Sequence, residues 1–188
     1  MSAASADRSG DRSIEVLVLG LGNVLLGDDG LGIDAVTRLA RDYSIPPGVR
    51  LADGGTLGLS LLGLLAESER VILVDAVRTD APAGSLVRID GDELMDAVRD
   101  RLSPHQVGVA DVLDAVRLID RYPNVVTLLG LVPEALDLAI ERSSTVGANL
   151  DTLVAAIAHE VESLGYPMDP QCGHRHVPAC DRADRFGM

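Results

Sequence analysis

The chain has 188 residues, 47% of them apolar, and a formal charge of −13 from 29 acidic and 16 basic side chains. This length predicts one domain with a substantial core, and the acidity excludes nucleic acid or an anionic membrane surface as partner, because every approach to a phosphate would be opposed. One Phe, three Tyr and no Trp leave the core to Leu, Val, Ile and Ala.

Residues 1–13 are small, polar and charged without a hydrophobic signal core, and read as a disordered leader of a cytoplasmic protein. No apolar run is long enough to span a bilayer. Residues 14–19 are apolar almost throughout, as in a strand covered on both faces. A glycine-rich turn follows, Gly20-Leu21-Gly22 to Gly27-Asp28-Asp29, and a helix carrying Ile33, Val36 and Leu39 begins at about the two acids. Paired carboxylates repel an anion, so the turn suits a cation or acid–base chemistry, or else Asp28 caps the helix. One cap needs one side chain, which leaves Asp29 to be explained.

A second strand over 49–52 ends in Asp53-Gly54-Gly55-Thr56, where Thr56 can cap a helix over 57–66 that is apolar nearly all round and expected to be well buried. Residues 71–74 form a third strand, terminated by Asp75, and residues 85–89 alternate like a strand near the sheet edge. A helix over 92–102 stops at Ser103-Pro104; His105 then precedes a helix with apolar residues at 109, 112, 113, 116 and 119. The last strand lies within 124–131, followed by Pro133-Glu134, and a long final helix ends near Gly165. Residues 166–188 lack periodicity and read as a flexible tail. Both cysteines, Cys172 and Cys180, lie there with His174 and His176, so no disulfide staples the fold, and the metal-like spacing of these four is taken as adventitious.

The alternation of strands and helices predicts an α/β fold: three layers, a mostly parallel five-stranded sheet with helices on both faces, in one domain over 14–165. Ligands of such sheets bind beyond the carboxyl ends of the strands. An acid follows each of four strands there: Asp29, Asp53, Asp75 and Glu134. A loop acid is ordinarily a cap or turn residue. Asp75 stands out because it ends a four-residue aliphatic run, where a carboxylate without a partner is costly. His105 is the fifth candidate, its approach fixed by Pro104. Two carboxylates and an imidazole from separate loops suit a borderline divalent ion such as nickel or zinc, with positions open to other ligands. A dinucleotide site fits poorly, since Leu25 stands where the third glycine belongs. A covalent Ser or Cys mechanism lacks its nucleophile: there is no glycine-flanked Ser elbow and no Cys in the body of the domain.

The segments Gly20 to Gly32, Asp53-Gly54-Gly55-Thr56, Val74-Asp75-Ala76, Ser103-Pro104-His105-Gln106 and Gly130-Leu131-Val132-Pro133-Glu134, in this order, resemble the hydrogenase maturation endopeptidases, most closely the type that processes membrane-associated uptake nickel-iron hydrogenases. The resemblance covers about 14–165. It implies a protease that removes a C-terminal extension from the hydrogenase large-subunit precursor after nickel insertion, with the nickel carried by that substrate and other divalent ions able to take its place. Matched position by position, it makes Asp29, Asp75 and His105 the metal contacts. The family commonly has Glu where this chain has Asp29, so the reach there is one methylene shorter. The Asp-Gly-Gly-Thr segment resembles one implicated in cleavage or substrate choice, which adds Asp53. Two mechanisms remain open: the metal polarises the carbonyl or activates water, or Asp29, Asp75 and Asp53 act as an aspartic-type acid–base set. A monomer is expected, and the alternative from another class is a non-catalytic nickel-site chaperone of the same precursor.

Overall fold

A computed structural model describes residues 12–56, 58–91, 93–95 and 108–171. In chain order its elements are β1 (Ile14–Leu21), a 3-10 turn (Gly27–Gly30), α1 (Leu31–Asp42), β2 (Tyr43–Ser44), β3 (Val49–Gly55), a second 3-10 turn (Gly58–Leu61), α2 (Leu62–Ala66), β4 (Ser68–Ala76), β5 (Leu86–Asp90), α3 (Val109–Leu118), β6 (Val125–Leu131), α4 (Ser144–Ser163) and β7 (Asp169–Pro170). Residues 93–95, inside the helix expected over 92–102, are also helical.

Five strands make one sheet in the order β3-β1-β4-β6-β5. The first four run parallel and β5 closes one edge antiparallel to β6. Because successive side chains on a strand point to opposite faces, β1 and β4 split their aliphatic residues between two cores. Val16, Val18, Ile72 and Val74 meet Leu31 and Leu39 of α1 and Leu150, Leu153 and Ile157 of α4 on one face. Leu17, Leu19, Val71 and Leu73 meet Leu65 of α2 and Val112, Leu113 and Val116 of α3 on the other. The expected three-layer α/β architecture is therefore the observed one.

Two expectations change. The segment read as a well-buried helix over 57–66 is a 3-10 turn followed by the five-residue α2. Among its described residues Leu61 and Leu65 are buried, while Leu59 is 58% exposed. So short a segment buries only Leu61 and Leu65 fully; Leu62, Leu64 and Ala66 pack at the margin of the same core and stay partly exposed. The folded body also continues six residues past Gly165. Tyr166 packs against the core, Met168 is buried, β7 pairs antiparallel with β2, and the Gln171 N–H donates to the Asp42 carbonyl at 2.8 Å. At the other end, within the expected leader, the Arg12 guanidinium donates to the carbonyls of Ser68 and Tyr122, both at 2.8 Å. Residues 1–11 and the Cys172, His174, His176, Cys180 group lie outside the described residues. No helix among the described residues is long and apolar enough to cross a membrane.

Candidate functional site

The four parallel strands all end on one edge of the sheet, and their register sets the candidate acids close to one level. Gly20 of β1 pairs with Asp53 of β3 and with Val74 of β4, and the next residue, Asp75, pairs with Gly130 of β6. Asp75 is 7% exposed, and its Oδ1 accepts the N–H of Ala76 at 2.8 Å, which fixes the plane of the carboxylate. The opposing position must be glycine: a Cβ on Gly130 would stand 1.9 Å from the Asp75 carbonyl oxygen.

Beyond β1 the chain reverses at Gly22, whose φ is +113°. The reversal lets the Asp29 carboxylate accept the Asn23 N–H at 2.7 Å, so Asp29, half-buried, is held over the end of β1. A Cβ on Gly22 would lie 1.7 Å from the Asp29 carbonyl oxygen, and the backbone conformation is itself unfavourable for an L side chain. Gly22→Ala is accordingly expected to cost at least about 2 kcal/mol, read in thermal unfolding as a fall of about 4–8 °C in Tm.

Asp28 has a different task from its neighbour. Fully buried, it accepts the backbone N–H groups of Glu134 at 2.9 Å, Ala135 at 3.1 Å and Ser143 at 2.7 Å, and the Ser143 hydroxyl at 2.9 Å. Burial alone would raise its pKa; the four hydrogen bonds, from Ser143, Ala135 and Glu134, outweigh it and hold the carboxyl below its ordinary 3.8. The turn makes no side-chain cap of its own, so the capping expected of Asp28 is replaced by a clasp on the loop between β6 and α4. That loop answers with further bonds: Asp28 N–H to the Ala135 carbonyl, Gly27 N–H to the Ala139 carbonyl and Ala139 N–H to the Leu25 carbonyl. Arg142, with its side chain 9% exposed, completes the clasp by donating to Asp34 at 2.8 Å and to the Gly27 carbonyl.

The other candidates divide. Asp53 is exposed at the end of β3, and its Oδ1 accepts the N–H of Gly55 at 2.9 Å, the ordinary work of a turn aspartate. Glu134 is exposed, and its backbone rather than its carboxylate takes part in the clasp. His105 lies outside the described residues. Among the described residues no group of three His, Cys, Asp or Glu side chains is placed to hold a metal ion. Sequence reasoning missed Arg142 and the second role of Ser143. The N-cap of α4 was a readable signal, since the Ser143 side chain accepts the Val146 N–H at 3.2 Å, but its bond to Asp28 spans 115 positions.

A family model described as hydrogenase maturation protease matches residues 33–160, a span containing Asp53, Asp75, His105 and Glu134. The chain belongs to the hydrogenase maturation protease family. It is 34% identical over 160 residues to the hydrogenase 2 maturation protease of Escherichia coli K12, covering 84% of this chain and 97% of that one. It is 38% identical over 152 residues to the hydrogenase expression/formation protein HupD of Rhodobacter capsulatus, covering 80% and 72%. The solved structure of the hydrogenase maturating endopeptidase HybD from E. coli superposes with a TM-score of 0.79 at 34% identity, over 84% of this chain and 98% of that one. As a member of the maturation protease family this chain is a peptide-bond hydrolase.

Proposed function

We propose that the chain is the endopeptidase that removes the C-terminal extension from the large-subunit precursor of a nickel-iron hydrogenase after nickel insertion, recognising that nickel through Asp29, Asp75 and His105. The observation that carries this reading is that Asp75 ends β4 while Asp29 is held over the end of the adjacent β1, and Asp28, beside Asp29, is turned into the protein and fully engaged. Two carboxylates with an imidazole form a donor set suited to nickel, which arrives as part of the substrate. Held there, the ion would polarise the scissile carbonyl or lower the pKa of a water beside it. The Asp75 carboxylate is held by its own following N–H, and Asp29 is fixed through Asn23. Asp53, exposed on the neighbouring strand end, is free of the ion and takes the proton of the attacking water, which then passes to the departing amine as the C–N bond breaks. The protease works as a monomer in the cytoplasm, where its precursor is made.

Nickel as part of the substrate makes the ion a checkpoint. Incubation with nickel-loaded precursor is expected to give a shortened large subunit by intact mass spectrometry, and nickel-free precursor to keep its full mass. A loaded precursor whose mass never changes, despite forming a complex, would leave the chaperone alternative standing. Equal cleavage of loaded and nickel-free precursor would remove nickel from recognition.

A further inference from the structure

Past Asp75 the two central strands leave the sheet side by side, and the space between them is a cleft of about 500 Å³. Ala76 pairs with Leu131 and the Val77 N–H donates to the Leu131 carbonyl at 2.9 Å, so the walls diverge only beyond this point. Arg78 and Thr79 form one wall; Pro133, Glu134, Leu136 and Asp137 are on the other. The second wall is anchored, because Asp28 holds the backbone N–H groups of both Glu134 and Ala135. Arg78 is exposed and makes no hydrogen bond or ion pair with another described residue. A guanidinium in a chain with 29 acids against 16 basic residues, across from Glu134 and Asp137 and three positions from Asp75, has acidic groups close by and pairs with none of them.

We propose that this cleft seats the precursor segment adjoining the scissile bond in an extended form, with Arg78 donating to its carbonyl or carboxylate oxygens; the inference rests on the protease reading above. The two walls carry opposite hydrogen-bonding character. Arg78 supplies a fork of N–H donors with the Thr79 hydroxyl beside it, while the carboxylates of Glu134 and Asp137 are acceptors. An extended peptide offers the complement to both, carbonyl oxygens to one wall and N–H groups to the other, and Leu136 with Pro133 gives an apolar side chain a surface to rest on. The volume lies within the range of small-ligand pockets, roughly 300–1,000 Å³. Lying directly beyond Asp75, the cleft would feed the seated chain to the carboxylates.

The test uses a fluorescent synthetic peptide spanning the cleavage junction of the precursor, without nickel, titrated with the full chain and followed by anisotropy. Wild type is expected to bind saturably, Arg78→Ala about tenfold more weakly, and Arg78→Lys to recover part of the loss, since a single ammonium replaces the fork. With nickel-loaded precursor, Arg78→Ala should raise KM and leave kcat within about twofold. An unchanged peptide Kd in Arg78→Ala, or a wild type that does not bind the peptide, overturns the assignment of the cleft. Peptide binding that depends on Arg78 in a chain that never shortens loaded precursor overturns the protease reading and leaves the cleft in place. Cleavage with KM unchanged in Arg78→Ala does the reverse.

Discussion

Replacing Asp75 by Asn is expected to reduce cleavage of nickel-loaded precursor by about 10³-fold or more, some 4 kcal/mol of transition-state stabilisation, while the fold survives. The substitution keeps the size and shape of the side chain, and its amide oxygen can still accept the Ala76 N–H. What disappears is the negative charge at a position buried between β1 and β6, where a neutral amide is a poor ligand for a divalent ion. A thermal unfolding curve close to wild type, beside an unprocessed precursor by mass spectrometry, is the expected pair of results. Asp29→Asn should behave alike, since its oxygen can still accept the Asn23 N–H but its charge is gone. Asp29→Glu, which installs the longer acid common in the family, should retain cleavage. Full processing by both Asn variants would withdraw both residues from the reaction.

The largest stability effect is expected at Asp28. Asp28→Ala deprives four donors of their acceptor in a site with no exposed surface, a loss of about 3–5 kcal/mol and a fall in Tm of about 10 °C or more for a domain of this size. The effect has a pH signature. The folded carboxyl has its pKa lowered below the ordinary 3.8, so in the acid range the unfolded chain holds a proton that the folded chain does not. The stabilisation is therefore complete well above 3.8 and drains away as the pH falls through the folded value. Asp28→Asn has no such group. The difference in urea midpoint between wild type and this variant should be constant from pH 7 to pH 5 and narrow below about pH 4. A difference that stayed the same down to pH 2 would mean that the charge on Asp28 contributes nothing.

What could be read from the chain was whatever its local pattern had to satisfy. The runs at 14–19 and 71–74 are aliphatic on both faces because β1 and β4 are the inner strands of a covered sheet, and the alternation at 85–89 belongs to β5, an edge strand. The level of Asp75 followed from the same logic, since a carboxylate ending such a run must lie at the strand's carboxyl edge. The role of Asp28 was illegible because its partners, Glu134, Ala135 and Ser143, stand 106, 107 and 115 positions away and three of its four bonds go to backbone that any residue could supply. The pairing of β2 with β7 is two residues long on each side, too short for any periodicity to announce it. The helix expected over 57–66 was misjudged because composition reports how apolar a segment is and not whether anything lies on its outer side.

The clasp between Asp28 and Ser143 also has a bearing on biosynthesis. The turn that presents Asp29 is made near the beginning of translation, yet its anchor is among the last parts of the body to be synthesised. Closing so long a loop is entropically costly and is delayed until the remainder of the sheet has assembled. A nascent chain still short of its final helix therefore carries the turn without the brace that ties it to the loop before α4.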